Sequence, residues 1–255
     1  MNNKKSLLIP YITAGFPNKK LFVPILKTLS ESADFIEVGV PYSDPLADGP
    51  TIQEASKIAL ENGVSLKWIL ETCHGIKTLH AKSLQQEIKP LILFSYFNPI
   101  LQYGLEKLLR DLPKPLFYGL IIPDLPIEEA KKYLPLFKNY KLNLILLCAP
   151  TTNKIRLKQI SHLSNGFIYL VSVTGVTGTR NNLSKELKNK IKELKSITKK
   201  PVVVGFGISD SKQASKVISY GADGVIVGSA IIKLLKENKN NPLSRLRVFM
   251  NSFRR

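Results

Sequence analysis

Short apolar runs rich in β-branched residues recur along the chain, each followed by an amphipathic stretch. Eight stand out: LLIPYIT (7–13), FIEVGV (35–40), PLILFSY (90–96), GLIIP (119–123), LNLILLCA (142–149), FIYLVS (167–172), PVVVGF (201–206) and GVIVG (224–228). Their near-continuous hydrophobicity, without strict alternation, is the pattern of parallel strands covered on both faces. Between them apolar residues return at spacings of three and four, as Ala130, Leu134 and Phe137 do within 127–140, and predict helices. Strand and helix repeated in this way, with no Gly/Ser linker, predict one (β/α)8 barrel with residues 1–255 as a single catalytic domain. A short extra helix is expected after the eighth strand. The stretch 237–241, between the last two predicted helices, is the one place where order is weakly specified. An open doubly wound sheet is the competing architecture, but eight units of regular size with polar groups after many different strands favour closure.

Composition narrows the class. A chain of 255 residues with 44% hydrophobic content can bury a large core. A formal net charge of +18 raises the question of nucleic acid. The densest basic stretch, Lys185, Lys188, Lys190, Lys192, Lys195, Lys199 and Lys200, is mixed with Glu186 and Glu193 and has no interleaved aromatics. It reads as a solvated helix face, and a nucleic-acid-binding barrel would need a basic stripe with stacking aromatics. Cys73 and Cys148 offer neither a metal spacing nor a disulfide framework, and His74, His80 and His162 share no ligand spacing, so no metal site is expected. No apolar run reaches bilayer length and the start MNNKKS lacks a secretory core, which predicts a soluble intracellular protein.

In a parallel barrel the working groups stand at the carboxyl ends of the strands. Glu37 interrupts the second run, and an ionised carboxylate among apolar side chains is costly unless a site or an ion pair holds it. The loop after it, PYSDPLADGP (41–50), carries Asp44 and Asp48 among three prolines. Asp48 alone, in Asp-Gly-Pro, would be an ordinary turn residue. As a second carboxylate overhanging the first, it forms a candidate acid–base pair with Glu37. A second constellation ends the seventh and eighth runs: Gly205-Phe206-Gly207 and Gly228-Ser229, each before a predicted helix, suit a phosphate held by backbone N–H groups and a helix amino end. Asp210 stands where a dinucleotide fingerprint would need a third glycine, which argues against a nicotinamide cofactor. The segment SVTGVTGTRNN (172–182) suits a loop that closes over a substrate, and Tyr169 places a phenol near the same barrel mouth.

Taken together, PYSDPLADGP after a strand bearing Glu37, YFNPILQYG (96–104), PDLPIEE (123–129), GVTGTR (175–180) and GFGIS (205–209) resemble the tryptophan synthase alpha subunit family along nearly the whole chain. The resemblance implies a TIM barrel that cleaves indole-3-glycerol phosphate to indole and glyceraldehyde 3-phosphate, without metal or organic cofactor in this subunit. It implies that Glu37 moves protons between the glycerol 3′-hydroxyl and indole C3, while Asp48 accepts the indole N–H. Gly178, Gly205, Phe206, Gly207, Gly228 and Ser229 would hold the phosphate and Tyr169 would lie beside the glycerol. Tyr11, Phe94 and Tyr96 would line the indole pocket, and Thr177 would contact Asp48 on closure. Pro41, Asp44, Pro45 and Asn98 would face a beta subunit, which condenses indole with serine on pyridoxal phosphate in an α2β2 assembly. The expected compartment is the cytoplasm, or the stroma for a plastid-encoded chain. Members of the family carry an extra helix before the first strand, and only about half a dozen residues precede it here, so a shortened helix and a less covered barrel floor are expected. Two alternatives differ in kind. A sugar-phosphate epimerase or isomerase would share the glycines but not the Glu37-to-SDPLADGP arrangement, and a non-catalytic ligand-binding subunit would not need both carboxylates.

Overall fold

Each of the eight apolar runs forms parallel strand in the computed structural model, which describes residues 6–80, 88–172, 180–205, 207–238 and 240–254, with the backbone alone for 77–80 and 180–184. The strands are β1 (Leu7–Thr13), β2 (Ile36–Gly39), β3 (Leu91–Phe94), β4 (Phe117–Ile121), β5 (Asn143–Ile145), β6 (Leu147–Cys148), β7 (Ile168–Val171), β8 (Val202–Gly205) and β9 (Gly224–Val227). Their order is β5-β4-β3-β2-β1-β9-β8-β7-β6. The two ends of that order, β5 and β6, are successive pieces of the fifth run, so the sheet closes on itself as an eight-stranded barrel. Leu146 marks the joint. Its N–H is taken by the Ser164 hydroxyl at 3.0 Å, and its carbonyl accepts from Tyr169 N–H at 3.1 Å, so the strand changes partner from β4 to β7 there.

The helices are α1 (Lys19–Ser30), α2 (Pro50–Glu61), α3 (Leu66–His80), α4 (Phe97–Tyr103), α5 (Leu105–Asp111), α6 (Ile127–Asn139), α7 (Lys154–Leu163), α8 (Arg180–Ile197), α9 (Ser211–Ser219), α10 (Ser229–Glu237) and α11 (Pro242–Asn251). Local chemistry sets their starts. Asn18, Asn153 and Asp210 cap α1, α7 and α9 by accepting the N–H of Leu21, Arg156 and Gln213. Pro50 opens α2, where its missing N–H costs nothing. Side chains such as Ile9, Ile12, Ile36, Leu91, Val203 and Val227 are wholly buried, in one continuous apolar core. α10, the expected short helix after the last strand, starts directly at the end of β9.

A shortened helix at residues 1–5 lies outside the described residues. The barrel floor, at the amino ends of β1 and β2, is closed from the other end of the chain. Arg254 donates to the Ser32 carbonyl at 2.7 Å and the Ser6 carbonyl at 3.1 Å, and pairs with Asp34, whose carboxylate also accepts Leu8 N–H at 2.8 Å.

Four lysines of the basic stretch are engaged with their own chain. Lys190 donates to the Thr152 carbonyl and to Glu193, Lys195 pairs with Asp223, and Lys188 lies over the Tyr220 ring. Lys200 donates to the carbonyls of Ser161, His162 and Ser164. Among the described residues no group of His, Cys, Asp and Glu can hold a metal, and no helix is long and apolar enough to cross a membrane.

Candidate active site

Parallel strands of matched register deliver their carboxyl ends to one mouth. Tyr11 on β1 is level with Glu37 on β2, and Gly39 with Phe94 on β3. A small cavity of about 40 Å³ lies there, lined by Tyr11, Glu37, Asp48, Ile52, Phe94, Tyr169, Gly207, Ile226, Gly228 and Ser229. It brings the two constellations of the sequence, the carboxylate pair and the glycine strand ends, onto one space. Asp48 also borders a wider cleft of about 790 Å³ whose walls include Ile122, Leu125, Leu147 and Val171.

Glu37 is 2% exposed, and its Oε2 has no hydrogen-bond partner among the described residues. Burial, reinforced by the nearby Asp48 carboxylate, pushes its pKa up to about 8. Asp48 is half-buried on the overhanging loop. Desolvation raises its pKa to about 6, and a hydrogen bond from Tyr96 works against that rise. At neutral pH the pair thus stands split, Glu37 protonated and Asp48 ionised, which is the condition for one acid and one acceptor acting together.

The aromatic wall is ordered by edge-to-face packing. Tyr11 and Phe94 meet with ring centres 5.9 Å apart at 89°, and Phe94 and Tyr96 at 6.4 Å and 90°. Tyr96 stands behind Asp48: its hydroxyl donates to Oδ2 at 3.1 Å and accepts the Ala47 N–H at 2.9 Å. Burial drives the phenols of Tyr11 and Tyr169 well above their usual range, with both carboxylates adding to the effect.

At the glycine end, Gly205 has no room for a side chain, because a Cβ would fall 2.2 Å from the Tyr169 hydroxyl. Gly207 adopts φ of +76°, which a side chain would strain. Gly228 caps α10, so Ser229 occupies the first turn of that helix. Phe206, Thr177 and Gly178 lie outside the described residues. Of the positions expected to face a partner, Asp44 and Asn98 are exposed and Pro45 is half-buried. Pro41 is buried in the chain taken alone.

Four residues of the site were not singled out from the sequence. Ile52 and Ile226 line the cavity as ordinary apolar residues of α2 and β9. Gly39 leaves space for the Tyr11 hydroxyl, which lies 2.1 Å from where a Cβ would be, and Thr13 shares a hydrogen bond with that hydroxyl at 3.3 Å. The period of two along β1 and β2 signals which residues share a face, but not that one needs the other to be glycine.

A closed parallel barrel with a split carboxylate pair and glycine-ended strands around one mouth cavity falls in the class of barrel enzymes that work by acid–base chemistry. Comparison with known proteins gives the family. The profile of the tryptophan synthase alpha chain family matches residues 1–254. The tryptophan synthase alpha chain of Prochlorococcus marinus subsp. pastoris is 46% identical over 254 residues, 98% of this chain and 88% of that one. That of Gracilaria tenuistipitata var. liui is 44% identical over 232 residues, 90% and 84% of the two chains. Among solved structures, tryptophan synthase subunit alpha from Legionella pneumophila superposes with a TM-score of 0.86 at 36% identity, covering 99% of this chain and 92% of the other. A chain of the tryptophan synthase complex from Pyrococcus furiosus gives 0.84 at 33% identity, covering 98% of each. The chain belongs to the tryptophan synthase alpha chain family, whose members are carbon–carbon lyases.

Proposed function

We propose that this chain cleaves indole-3-glycerol phosphate by a retro-aldol reaction, with Glu37 and Asp48 as its catalytic groups and residues 1–255 as one catalytic domain. The observation that carries the reading is the convergence of both carboxylates with Gly207, Gly228 and Ser229 on one cavity. Glu37, protonated at neutral pH, delivers its proton to indole C3. The Asp48 carboxylate accepts the indole N–H and stabilises the positive charge that develops on the ring. Glu37, now a carboxylate, takes the proton of the glycerol 3′-hydroxyl. The C–C bond breaks, its electron pair returns to the indole, and the aldehyde of glyceraldehyde 3-phosphate forms. Glu37 ends as it began, so the proton balance closes on these two side chains, and the reaction as written draws on no cofactor.

Gly205, Gly207, Gly228 and Ser229, with Gly178 and Phe206, hold the phosphate through backbone N–H groups and the amino end of α10. Tyr169 lies beside the glycerol, Tyr11 and Phe94 flank the indole, and Thr177 meets Asp48 when its loop closes. Asp44, Pro45 and Asn98 form part of the face that meets a beta subunit, the pyridoxal-phosphate partner that consumes indole in an α2β2 assembly. The Pyrococcus furiosus neighbour comes from a tryptophan synthase complex, which supports such a partner. We assign the chain to the cytoplasm or a plastid stroma.

The test is release of indole and glyceraldehyde 3-phosphate from indole-3-glycerol phosphate, with and without a beta subunit, by wild type and Asp48→Asn. Cleavage stimulated by the partner and abolished in the variant is expected. Folded wild type that fails to cleave even with a cognate partner would sink the proposal.

A further inference from the structure

Away from the candidate active site, a cleft of about 710 Å³ opens between α7 and the turn 196–200 that joins α8 to β8. Every ionisable side chain lining it is basic: Lys154, Lys158 and His162 from α7, Lys199 and Lys200 from the turn. Spacings of four set the three α7 residues on one face, successive ones about 6 Å apart along the helix. Lys200 has a separate task. Its Nζ donates to the carbonyls of Ser161 and Ser164 at 2.6 Å each and to that of His162 at 3.3 Å, which covers the negative end of α7 that would otherwise repel an anion. Lys154, Lys158 and Lys199 are exposed and have no acidic partner among the described residues, whereas Lys190 and Lys195 of α8 are matched by Glu193 and Asp223. The Thr198 hydroxyl accepts Lys200 N–H at 3.1 Å and keeps its own hydrogen for a further acceptor. Cations gathered from two elements with no acid between them repel one another, and a bound anion relieves that repulsion.

We infer that this cleft is a second anion site, one that takes a condensed phosphate chain of two or three phosphoryl groups. Charge and spacing set that class. Two ammonium groups stand a helical turn apart on one wall and a third on the wall facing them, so a phosphate chain meets all three where they are, while a single orthophosphate would have to draw them together against their own repulsion. No aromatic ring lines the cleft, so a nucleotide would be held by its phosphates and not by its base. The cleft lies on the floor side of the barrel, because Lys200 stands just before β8 begins at Val202, whereas Glu37 and Asp48 serve the end where the strands finish. Occupancy therefore leaves the glycine cradle open, and the inference does not rest on the proposed function.

The test titrates pyrophosphate, tripolyphosphate, ADP and orthophosphate into the folded full chain labelled with nitrogen-15, at constant ionic strength, and follows the amide shifts by NMR. Pyrophosphate should move the amides of Ser161, His162, Thr198 and Lys199 saturably, with tripolyphosphate at least as tight, ADP within about threefold and orthophosphate about tenfold weaker. Lys154→Ala with Lys158→Ala should weaken pyrophosphate at these amides about tenfold, and Lys199→Ala about threefold. Lys185→Ala with Lys192→Ala removes the same charge from exposed positions outside the cleft and should leave binding unchanged. Thermal melts confirm that each variant is folded. Absence of a saturable shift at the four amides overturns the site, as do shifts confined to the cradle at Gly205, Gly207 and Gly228. Equal weakening by the two double variants would mean attraction by net charge alone, and binding of ADP without pyrophosphate would mean recognition of the base; either overturns the inference. The amide shifts need no turnover, so a chain that binds as expected but cleaves nothing would defeat the proposed function alone.

Discussion

At the scale of single residues, the cost of Glu37 and its use are the same fact. A carboxyl group at 2% exposure with an unpartnered oxygen keeps its proton up to about pH 8, against an ordinary value of 4.5. The unfolded chain would release that proton near 4.5, so this group's favourable share of stability is full below that pH and is lost as the pH climbs towards 8. Glu37→Gln should flatten that decline and raise Tm at alkaline pH relative to wild type, as thermal melts across pH would show. The same variant should lose cleavage by about a thousandfold while still binding the phosphorylated substrate, because the glycine cradle is untouched. For the wild type, kcat/KM should trace a bell with limbs near 6 and 8, the pH values at which Asp48 ionises and Glu37 deprotonates. In Asp48→Asn the negative neighbour is gone, so the Glu37 midpoint should move down, visible by carbon-13 NMR of labelled glutamate even where turnover is lost. A Glu37 midpoint that stays put would show that burial alone sets it.

Elements contribute by register. Tyr11 and Glu37 are level on adjacent strands, and two residues further along β2 the chain is glycine because the Tyr11 ring crosses there. Gly39→Ala should therefore displace Tyr11 from the cavity wall and cost about 1–3 kcal/mol by overpacking. Urea denaturation measures the loss, and a fall in activity larger than the loss of folded protein would locate the damage in the site. The helices were legible from periodicity and capping chemistry: the segment expected over 127–140 is α6 at Ile127–Asn139. Asp-Gly-Pro was ambiguous in one dimension. It has the composition of a turn, and it becomes a helix start because Gly49 and Pro50 lead into α2, leaving Asp48 pointed back at the mouth.

Across the whole molecule, closure of the barrel and closure of its floor are separate tasks. β5 and β6 share out the fifth run to complete the ring, and Arg254 stitches the amino ends of β1 and β2 from the far end of the chain. Arg254→Ala would leave two carbonyls and the Asp34 carboxylate short of a donor, at a cost of about 1–3 kcal/mol. Chemical denaturation should show that loss, with kcat and KM of the folded protein unchanged, since the floor lies at the opposite end of the barrel from Glu37 and Asp48. Part of the net charge of +18 is engaged within the chain along α8, where Lys190 and Lys195 are ion-paired and Lys188 lies over the Tyr220 ring.

By itself the sequence determined the eight apolar runs, the helices between them and the residue types at the strand ends, because hydrophobic periodicity and glycine or proline placement act over a few neighbouring residues. It also marked Glu37, Asp48 and the glycines as candidates, since a charge in an apolar run and glycines before a helix are visible locally. Only the tertiary structure decided that these lie around one cavity, that Tyr96 grips Asp48 from behind, that Pro41 is buried, and that Arg254 closes the floor. Those outcomes depend on contacts between residues from 48 to 222 positions apart in the chain, whose distances are set by closure of the sheet and not by any local preference.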